Sequence, residues 1–302
     1  MVFRLIPVIL IAALTGGPAH ALNILLTNDD GYDHPWIRAV HASLVEAGHQ
    51  VTLVAPVENQ SGRSAALTLS KAQIDNPEPG VFAVHATPAS SALAGLSIME
   101  ERPDLIVSGT NEGANIGVLS SFSGTVGAVV AVLHMGGEPI PGIAISGNLI
   151  DTEGDAHSEA NMVHGRQIAD FLAQLVAHLE NHQKQEGHLL PVGIALNVNY
   201  PAVAPDQVKG VGIYRHGRNL SSLFGRMADA GHSSEEAKKQ AQLADDTFLS
   251  SVQESGNQLP LDGDIAGLMD GYITIVPIDG DYTAAGWDEV FPEQFFEHLS
   301  LD

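Results

Sequence analysis

The chain has 302 residues, and 36 acidic side chains against 13 Lys and Arg give it a formal net charge of −23. It contains no cysteine, so disulfide-stapled miniproteins and cysteine zinc fingers are excluded, as is collagen by composition. Hydrophobic residues make up 44% and charged residues 16%, which is enough for one large core and too apolar for a disordered chain. The negative charge repels phosphate backbones, so we expect no nucleic-acid polymer as partner.

The first 21 residues have the pattern of a secretory signal peptide. Arg4 gives a positive start, the ten residues from Leu5 to Leu14 are apolar, and Ala19-His20-Ala21 is a small-x-small cleavage site. A membrane anchor is the alternative, but spanning a bilayer takes about 20 apolar residues. We therefore predict a periplasmic or secreted protein, with no membrane association after cleavage and a mature chain of residues 22–302.

The mature chain begins with a pattern of strand, loop, helix and strand. An apolar run at 24–26 ends in a polar loop, and Pro35 opens a segment in which apolar side chains recur at helical spacing. Gly48 ends that segment, and Val51 to Val54 form a second apolar run. Residues 24–54 are therefore predicted to be one βαβ unit.

The pattern continues through the chain and predicts an α/β fold. The segment Thr125 to Met135 is apolar almost all round, and a stripe from Ile168 to Leu179 recurs every three or four residues, so both are predicted helices that cover a sheet. We predict a single domain, doubly wound around a mostly parallel, Rossmann-like sheet, in which ligands bind beyond the carboxyl ends of the strands. Its further strands are short, almost continuously apolar runs at 81–84, 105–107, 143–145, 194–198 and 272–278.

Residues 214–260 differ in composition from the rest of the chain. They are rich in Ser, Gln, Asp, Lys and Gly and contain few apolar residues. We predict a C-terminal excursion from the domain that forms a mobile arm, a lid or an oligomer contact. A solvated insertion without such a role is the alternative.

Asp29 and Asp30 are adjacent carboxylates at the end of the first predicted strand. Two such groups raise each other's pKa unless a cation lies between them, and a hard divalent ion relieves that repulsion. The alternative is a water-exposed Asp-Asp-Gly turn. The position beyond the first strand of a parallel sheet favours a site.

Two more polar loops follow the predicted strands. Ser61 lies in the loop 59–64, and Asn111 lies in the segment 108–115, which is dense in amide and carboxylate side chains. The alternative for the second segment is an asparagine-rich turn that satisfies its own backbone. Together with the two aspartates, these residues form an all-oxygen set that suits Mg²⁺, Mn²⁺ or Ca²⁺ better than a soft metal.

Ser123, Gly124 and Thr125 precede the apolar helix. Hydroxyls and free backbone N–H groups at a helix N-terminus stabilise a phosphate, although Ser123 as a simple N-cap is equally consistent. The Walker A, G-x-G-x-x-G, H-E-x-x-H and G-x-S-x-G patterns are all missing from the sequence, so triphosphate hydrolysis, dinucleotide binding, zinc-peptidase and α/β-hydrolase chemistry lack their usual support.

Taken together, these loops resemble the SurE family of survival-protein nucleotidases, which are metal-dependent phosphomonoesterases. The resemblance spans residues 22–147 in order and spacing, continues in two later core segments, and does not cover the excursion. Trp36 departs from the family pattern, which has a small glycine there. The motifs that carry the resemblance are ILLTNDDG at 24–31, Ala55-Pro56 with Asn59 and Ser61-Gly62, SGTNEGAN at 108–115, SGTV at 123–126, LNVNYP at 196–201 and DGYITIVP at 270–277.

The resemblance implies a site and an assembly. The metal ligands would be Asp29, Asp30, Ser61 and Asn111, and the ion would be Mg²⁺ or Mn²⁺, with Ca²⁺ as a further option. It also implies a homo-oligomer, either a dimer or a tetramer. The residues lining the phosphate pocket would be Asn28, Asn115, Ser123, Gly124 and Thr125.

The sequence therefore predicts an exported metal-dependent phosphomonoesterase. Its substrates would be nucleoside 5′- or 3′-monophosphates and other small phosphate monoesters, as in a nucleotidase or an acid phosphatase. Hydrolysis would use a metal-activated water positioned by Asp29 or Asp30 as the catalytic groups, with a covalent aspartyl phosphate as the competing detail. The alternative function is a non-catalytic exported protein that binds a phosphorylated ligand. A haloacid-dehalogenase-type enzyme is disfavoured because residues 29–33 lack Asp-x-Asp in register.

Overall fold

A computed structural model describes residues 21–135, 137–218 and 261–282. Short 3₁₀ turns at Gly117–Phe122 and Pro205–Gln207 accompany the helices and strands. In chain order the elements are β1 (Asn23–Thr27), α1 (Pro35–Glu46), β2 (Gln50–Pro56), β3 (Ile74–Glu78), β4 (Val81–Val84), α2 (Pro88–Ile98), β5 (Leu105–Glu112), α3 (Gly124–Met135), β6 (Gly142–Gly147), α4 (Glu159–Glu186), β7 (Ala195–Tyr200), β8 (Gly210–Ile213), α5 (Gly263–Met269) and β9 (Tyr272–Ile278).

The strands of the described residues form one sheet in the order β3-β4-β2-β1-β5-β6-β7-β9-β8. Strands β4, β2, β1, β5, β6 and β7 pair in parallel, whereas β3 is antiparallel to β4 and β9 is antiparallel to β7. Strand β1 lies between β2 and β5, so the strand order reverses there. In open α/β sheets ligands bind at this switch point, beyond the carboxyl ends of the strands.

Each face of the sheet is covered by a pair of helices. Because side chains alternate along a strand, Ile24 and Leu26 of β1 face one core, and Leu25 faces the other. The first core contains the apolar stripes of α1 and α4, and the second contains apolar residues of α2 and α3. The fold class is therefore confirmed, together with the first βαβ unit and the helical stripe of 168–179.

One sequence expectation about the site needs correction. Asn111 was expected in a strand-end loop, but β5 continues through the polar residues 108–112, so Asn111 lies within the strand. Pairing with β6 supports this extension, and the register shifts between Ser108 and Asn111. These polar residues can extend the strand because the backbone of β6 satisfies their backbone N–H and C=O groups. The local sequence does not reveal that β6 lies beside them.

The indole of Trp36 is fully buried between α1 and α4. Its Nε1–H donates a hydrogen bond of 3.0 Å to the carbonyl oxygen of Asn161. Gly165 on α4 lies directly against the ring, and a Cβ at that position would come within 2.8 Å of the indole Cγ. The large side chain at position 36 therefore fits because the facing residue has none.

Several predictions lie outside the described residues. These are the signal peptide up to residue 20 and the part of the excursion from 219 to 260. The single-domain boundaries and the excursion stay predictions. Among the residues that the structure does describe, no helix has both the length and the apolar character needed to cross a membrane.

Candidate active site

Asp29 connects the end of β1 to the first turn of α3. Only 2% of its surface is exposed, and Thr125 Oγ1 donates a hydrogen bond of 2.5 Å to Asp29 Oδ1. A Cβ at position 124 would lie 2.7 Å from Asp29 Oδ2, so Gly124 is required for this close approach. The predicted residues 29, 124 and 125 are therefore brought together.

Asp30 connects three strand ends. The backbone N–H of Glu112 donates to Asp30 Oδ2 over 3.0 Å, and Asn59 Nδ2 donates to Oδ1 over 3.2 Å. Asn59 also accepts a hydrogen bond of 2.9 Å from the backbone N–H of Ser61. These contacts place the exposed Ser61 loop and the end of β5 around the aspartate pair.

Among the described residues, neither carboxylate of the aspartate pair has a Lys or Arg partner. Burial raises the pKa of Asp29, and burial together with the charge of Asp29 raises the pKa of Asp30 to about 7, although His34 lowers it in part. No ion pair within the described ranges joins Lys or Arg to either carboxylate. Adjacent carboxylates in this environment fit a divalent cation, since the ion restores the charged form of both.

Asn111 is 8% exposed at the end of β5, next to the residue whose N–H binds Asp30. Its Nδ2 donates a hydrogen bond of 2.6 Å to the carbonyl oxygen of Gly113. This is the local turn contact expected of an asparagine-rich segment. It uses the amide hydrogen and leaves the side-chain oxygen as the atom available to a cation.

Asn28 and Ser123 both form local contacts that shape the loops. Asn28 Nδ2 donates to the carbonyl oxygen of Gly31 over 2.9 Å, and its Oδ1 accepts from the N–H of Gly31 over 3.2 Å. Ser123 Oγ accepts from the N–H of Val126 over 3.2 Å, so the serine N-cap forms. Their role in binding phosphate stays a prediction, as does that of Gly124 and Thr125.

Asn115 belongs to a buried polar network beside the carboxylates. Its Nδ2 donates to Ser146 Oγ over 2.9 Å, and its N–H donates to Asn199 Oδ1 over 2.7 Å. Its carbonyl oxygen accepts from Ser120 Oγ and from the Nδ2 atoms of Asn197 and Asn199. Sequence reasoning did not predict these hydrogen-bond partners of Asn115. The two asparagines in the otherwise apolar β7 could have indicated a buried polar network.

Asp264, in α5, connects this helix to the buried polar network. It is fully buried and accepts hydrogen bonds from the N–H groups of Gly117 and Gly217 at 3.0 and 2.7 Å. His216 Nδ1 lies 3.0 Å from Asp264 Oδ2 and 3.5 Å from Ser120 Oγ. The start of the predicted excursion is thereby tied to the turn that follows β5, which the sequence did not indicate.

The aspartate pair does not form a cluster of strong ligands by itself. Across residues 21–135, 137–218 and 261–282 there is no group of three or more His, Cys, Asp or Glu side chains arranged to hold a metal. A cation at Asp29 and Asp30 therefore needs neutral oxygen donors as well. Ser61 and Asn111, on the loops that surround the pair, are residues of that type.

Comparison with known proteins identifies the family. The family model "Survival protein SurE" matches residues 24–222. A 5′-nucleotidase SurE from Nitratidesulfovibrio vulgaris is 32% identical over 268 residues, which cover 87% of this chain and 95% of that protein. One from Actinobacillus pleuropneumoniae is 32% identical over 272 residues, covering 87% and 96%.

A solved structure agrees on the fold. The crystal structure of the SurE protein from Aquifex aeolicus superposes with a TM-score of 0.64 at 24% sequence identity, and it covers 91% of this chain and 99% of that one. The family resemblance inferred from the loops is thus confirmed. The chain belongs to the SurE family.

Proposed function

We propose that the protein is a metal-dependent phosphomonoesterase that hydrolyses nucleoside 5′- or 3′-monophosphates and other small phosphate monoesters. The observation that carries the proposal is the pair of the buried Asp29 and the partly buried Asp30, which lies at the switch point of the sheet and has no Lys or Arg ion-pair partner among the described residues. Family membership supports it, since the curated relatives are named 5′-nucleotidases and such enzymes hydrolyse phosphoric monoesters.

The residues that would hold the cation are Asp29, Asp30, Ser61 and Asn111. When bound, Mg²⁺ or Mn²⁺ supplies a Lewis acid for a phosphoryl oxygen and lowers the pKa of a coordinated water. Thr125 fixes the orientation of Asp29, and Asn59 together with the N–H of Glu112 fixes that of Asp30. Both carboxylates are thus oriented by neighbouring elements before any ligand binds.

The first turn of α3 supports the phosphate. Gly124 and Thr125 begin a 12-residue helix, and their backbone N–H groups interact with the Asp29 carboxylate, so the positive end of this helix would stabilise a phosphate beside Asp29. In this arrangement Asp29 or Asp30 positions the attacking water. A chiral phosphorothioate substrate distinguishes the two possible routes. Direct attack by water inverts the configuration at phosphorus, whereas two successive displacements through an aspartyl phosphate retain it.

The test of function is Asp30→Asn on p-nitrophenyl phosphate and nucleoside monophosphates. We expect turnover to fall by at least about two orders of magnitude with the circular dichroism spectrum unchanged, because the variant removes one of two charged donors. A folded variant with the parental rate would refute the proposed chemistry. Stoichiometric capture of a phosphate ester by the unmodified protein without phosphate release in Mg²⁺ or Mn²⁺ would favour the non-catalytic binding protein.

Export is part of the proposal and rests on the sequence of residues 1–21. We propose cleavage after Ala21 and a periplasmic or secreted mature chain. Cell fractionation with mass measurement of the intact protein tests it, and a full-length chain in the cytoplasm would contradict it. The proposed homo-oligomer, a dimer or a tetramer, is tested by sedimentation of the same mature protein.

A further inference from the structure

The loops around the aspartate pair contain a single Lys or Arg. In the segments 28–34, 57–64 and 108–125 this residue is Arg63, whereas Asp33, Glu58 and Glu112 add further negative charge. Two carboxylates and one divalent cation have no net charge, and serine and asparagine donors add none. A phosphate monoester carries about −2 at neutral pH. Without Arg63, these three segments would offer this dianion no net positive charge, in a chain whose formal net charge is −23.

The backbone on both sides of Arg63 is fixed to the site. Before it, the N–H of Gln60 donates to the carbonyl oxygen of Asp29 over 2.7 Å. After it, the N–H of Ser64 donates to the carbonyl oxygen of Phe122 over 3.1 Å. Ser64 Oγ also donates to the carbonyl oxygen of Ser121 over 2.8 Å. Arg63 therefore lies between the predicted ligand Ser61 and the residues that lead into α3.

The loop also packs directly on the first turn of α3. A Cβ at position 127 would come within 2.5 Å of the backbone nitrogen of Ala65, so Gly127 allows the contact. Ser64 has a φ of 51°, the only positive value of a non-glycine residue in the described part of the chain. Such a conformation is strained for a residue that carries a side chain, so the contacts of Ser64 hold the loop against this strain.

The Arg63 side chain is exposed and forms no ion pair with any residue that the structure describes. The Arg and Lys ion pairs of the described residues involve Arg38, Arg102, Lys209 and Arg215. Within the described part of the chain, Arg63 accordingly presents a guanidinium without an ion pair on a fixed loop beside a helix N-terminus. A guanidinium binds two oxygens of a phosphate in parallel, which a lysine ammonium does not reproduce.

We propose that Arg63 binds the non-bridging oxygens of the substrate phosphate and supplies the positive charge that the metal and carboxylates together lack. This inference rests on the proposed function and deepens it. It makes Arg63 a substrate-binding residue that favours monoesters, which carry two negative charges, over singly charged diesters.

The test measures phosphate binding independently of turnover. Inorganic phosphate is titrated calorimetrically into the Mg²⁺-loaded protein, its Arg63→Ala variant and its Arg63→Lys variant. We expect the Kd for phosphate to rise at least about tenfold in Arg63→Ala and by an intermediate factor in Arg63→Lys, since charged hydrogen bonds are lost. The KM for p-nitrophenyl phosphate should rise in parallel, while the Kd for Mn²⁺ without phosphate stays within about threefold.

Arg102→Ala is the matched control. It removes the same charge, but Arg102 lies just before the amino end of β5, whereas the site lies beyond the carboxyl ends of the strands. We expect its phosphate Kd to remain that of the parent. If the phosphate Kd rose equally in Arg63→Ala and Arg102→Ala, and the rise disappeared at high salt, both arginines would act only through the overall electrostatic field. That result would overturn the proposal.

The outcomes separate this inference from the proposed function. If the parent hydrolyses phosphate esters and Arg63→Ala binds phosphate with parental affinity, the role of Arg63 is refuted and the function stands. If the parent shows no turnover, the function fails, and the phosphate titration still decides the role of Arg63. A parent that binds no phosphate overturns the role of Arg63, and one that also shows no turnover overturns both. Should Arg63→Ala misfold, Arg63→Gln and Arg63→Lys provide the same comparison.

Discussion

Replacing Asp30 by asparagine is expected to stabilise the metal-free protein at neutral pH. The pKa of Asp30 is about 7 in the fold, against 3.8 for an unperturbed aspartate. Between these values the unfolded chain has lost the proton while the folded chain keeps it, so the wild-type fold loses stability as the pH rises through this window. At 1.36 kcal/mol per pH unit, the loss amounts to about 4 kcal/mol by pH 8.

The variant removes this loss but also removes a hydrogen bond. Asn59 Nδ2 and the N–H of Glu112 each donate to one oxygen of Asp30, and an asparagine has only one side-chain oxygen. The missing bond costs about 1 kcal/mol. We therefore expect Asp30→Asn to be about 1 kcal/mol less stable than wild type at pH 4 and about 3 kcal/mol more stable at pH 8.

Urea unfolding in EDTA at pH 4, 6 and 8 measures these differences. Excess Mg²⁺ should then stabilise the wild type by mass action and leave the variant nearly unchanged. Asp33→Asn is the control, because Asp33 is an exposed carboxylate in the same loop. A difference in unfolding free energy between Asp30→Asn and wild type that is constant from pH 4 to pH 8 would refute the argument from the raised pKa of Asp30.

Three further predictions concern Thr125, Gly165 and the requirement for a metal. Thr125→Val removes the hydroxyl bound to Asp29 and should weaken Mg²⁺ binding about tenfold, whereas Thr125→Ser should retain it; Mg²⁺ titrations of activity and calorimetry compare the two. Gly165→Ala places a methyl group against Trp36 and should lower the free energy of unfolding by about 1–3 kcal/mol in urea, and no loss would refute the packing. EDTA should abolish hydrolysis of p-nitrophenyl phosphate, and Mg²⁺ or Mn²⁺ should restore it; turnover that persists after dialysis against EDTA would contradict a metal-dependent reaction.

Local pattern predicted the elements with strong periodicity and missed those without it. The apolar run at 24–26 predicts only a buried strand, and the apolar stripe on α4 predicts only an amphipathic helix. Strand β3, by contrast, has every residue exposed, and α2 consists mostly of small residues and has no distinct apolar face. These elements form because neighbouring strands and helices stabilise them, and a window of sequence contains no information about those neighbours.

The candidate site divides in the same way. The residue types at Asp29 and Asp30 already indicated a hard cation. The partners that hold Asn115 were missed, because Ser146 and Asn199 come from distant strands. The raised pKa of Asp30 also depends on burial by elements far along the chain.

The amino-acid sequence by itself determined the apolar periodicities, the turns and the chemical type of each donor, since these depend on a residue and its near neighbours. The tertiary structure alone decided that β1 lies between β2 and β5 and that the N–H of Glu112 binds Asp30, 82 residues away. Such contacts form only when the whole sheet assembles, because the loss of chain entropy on closing long loops is recovered only by packing of the complete core.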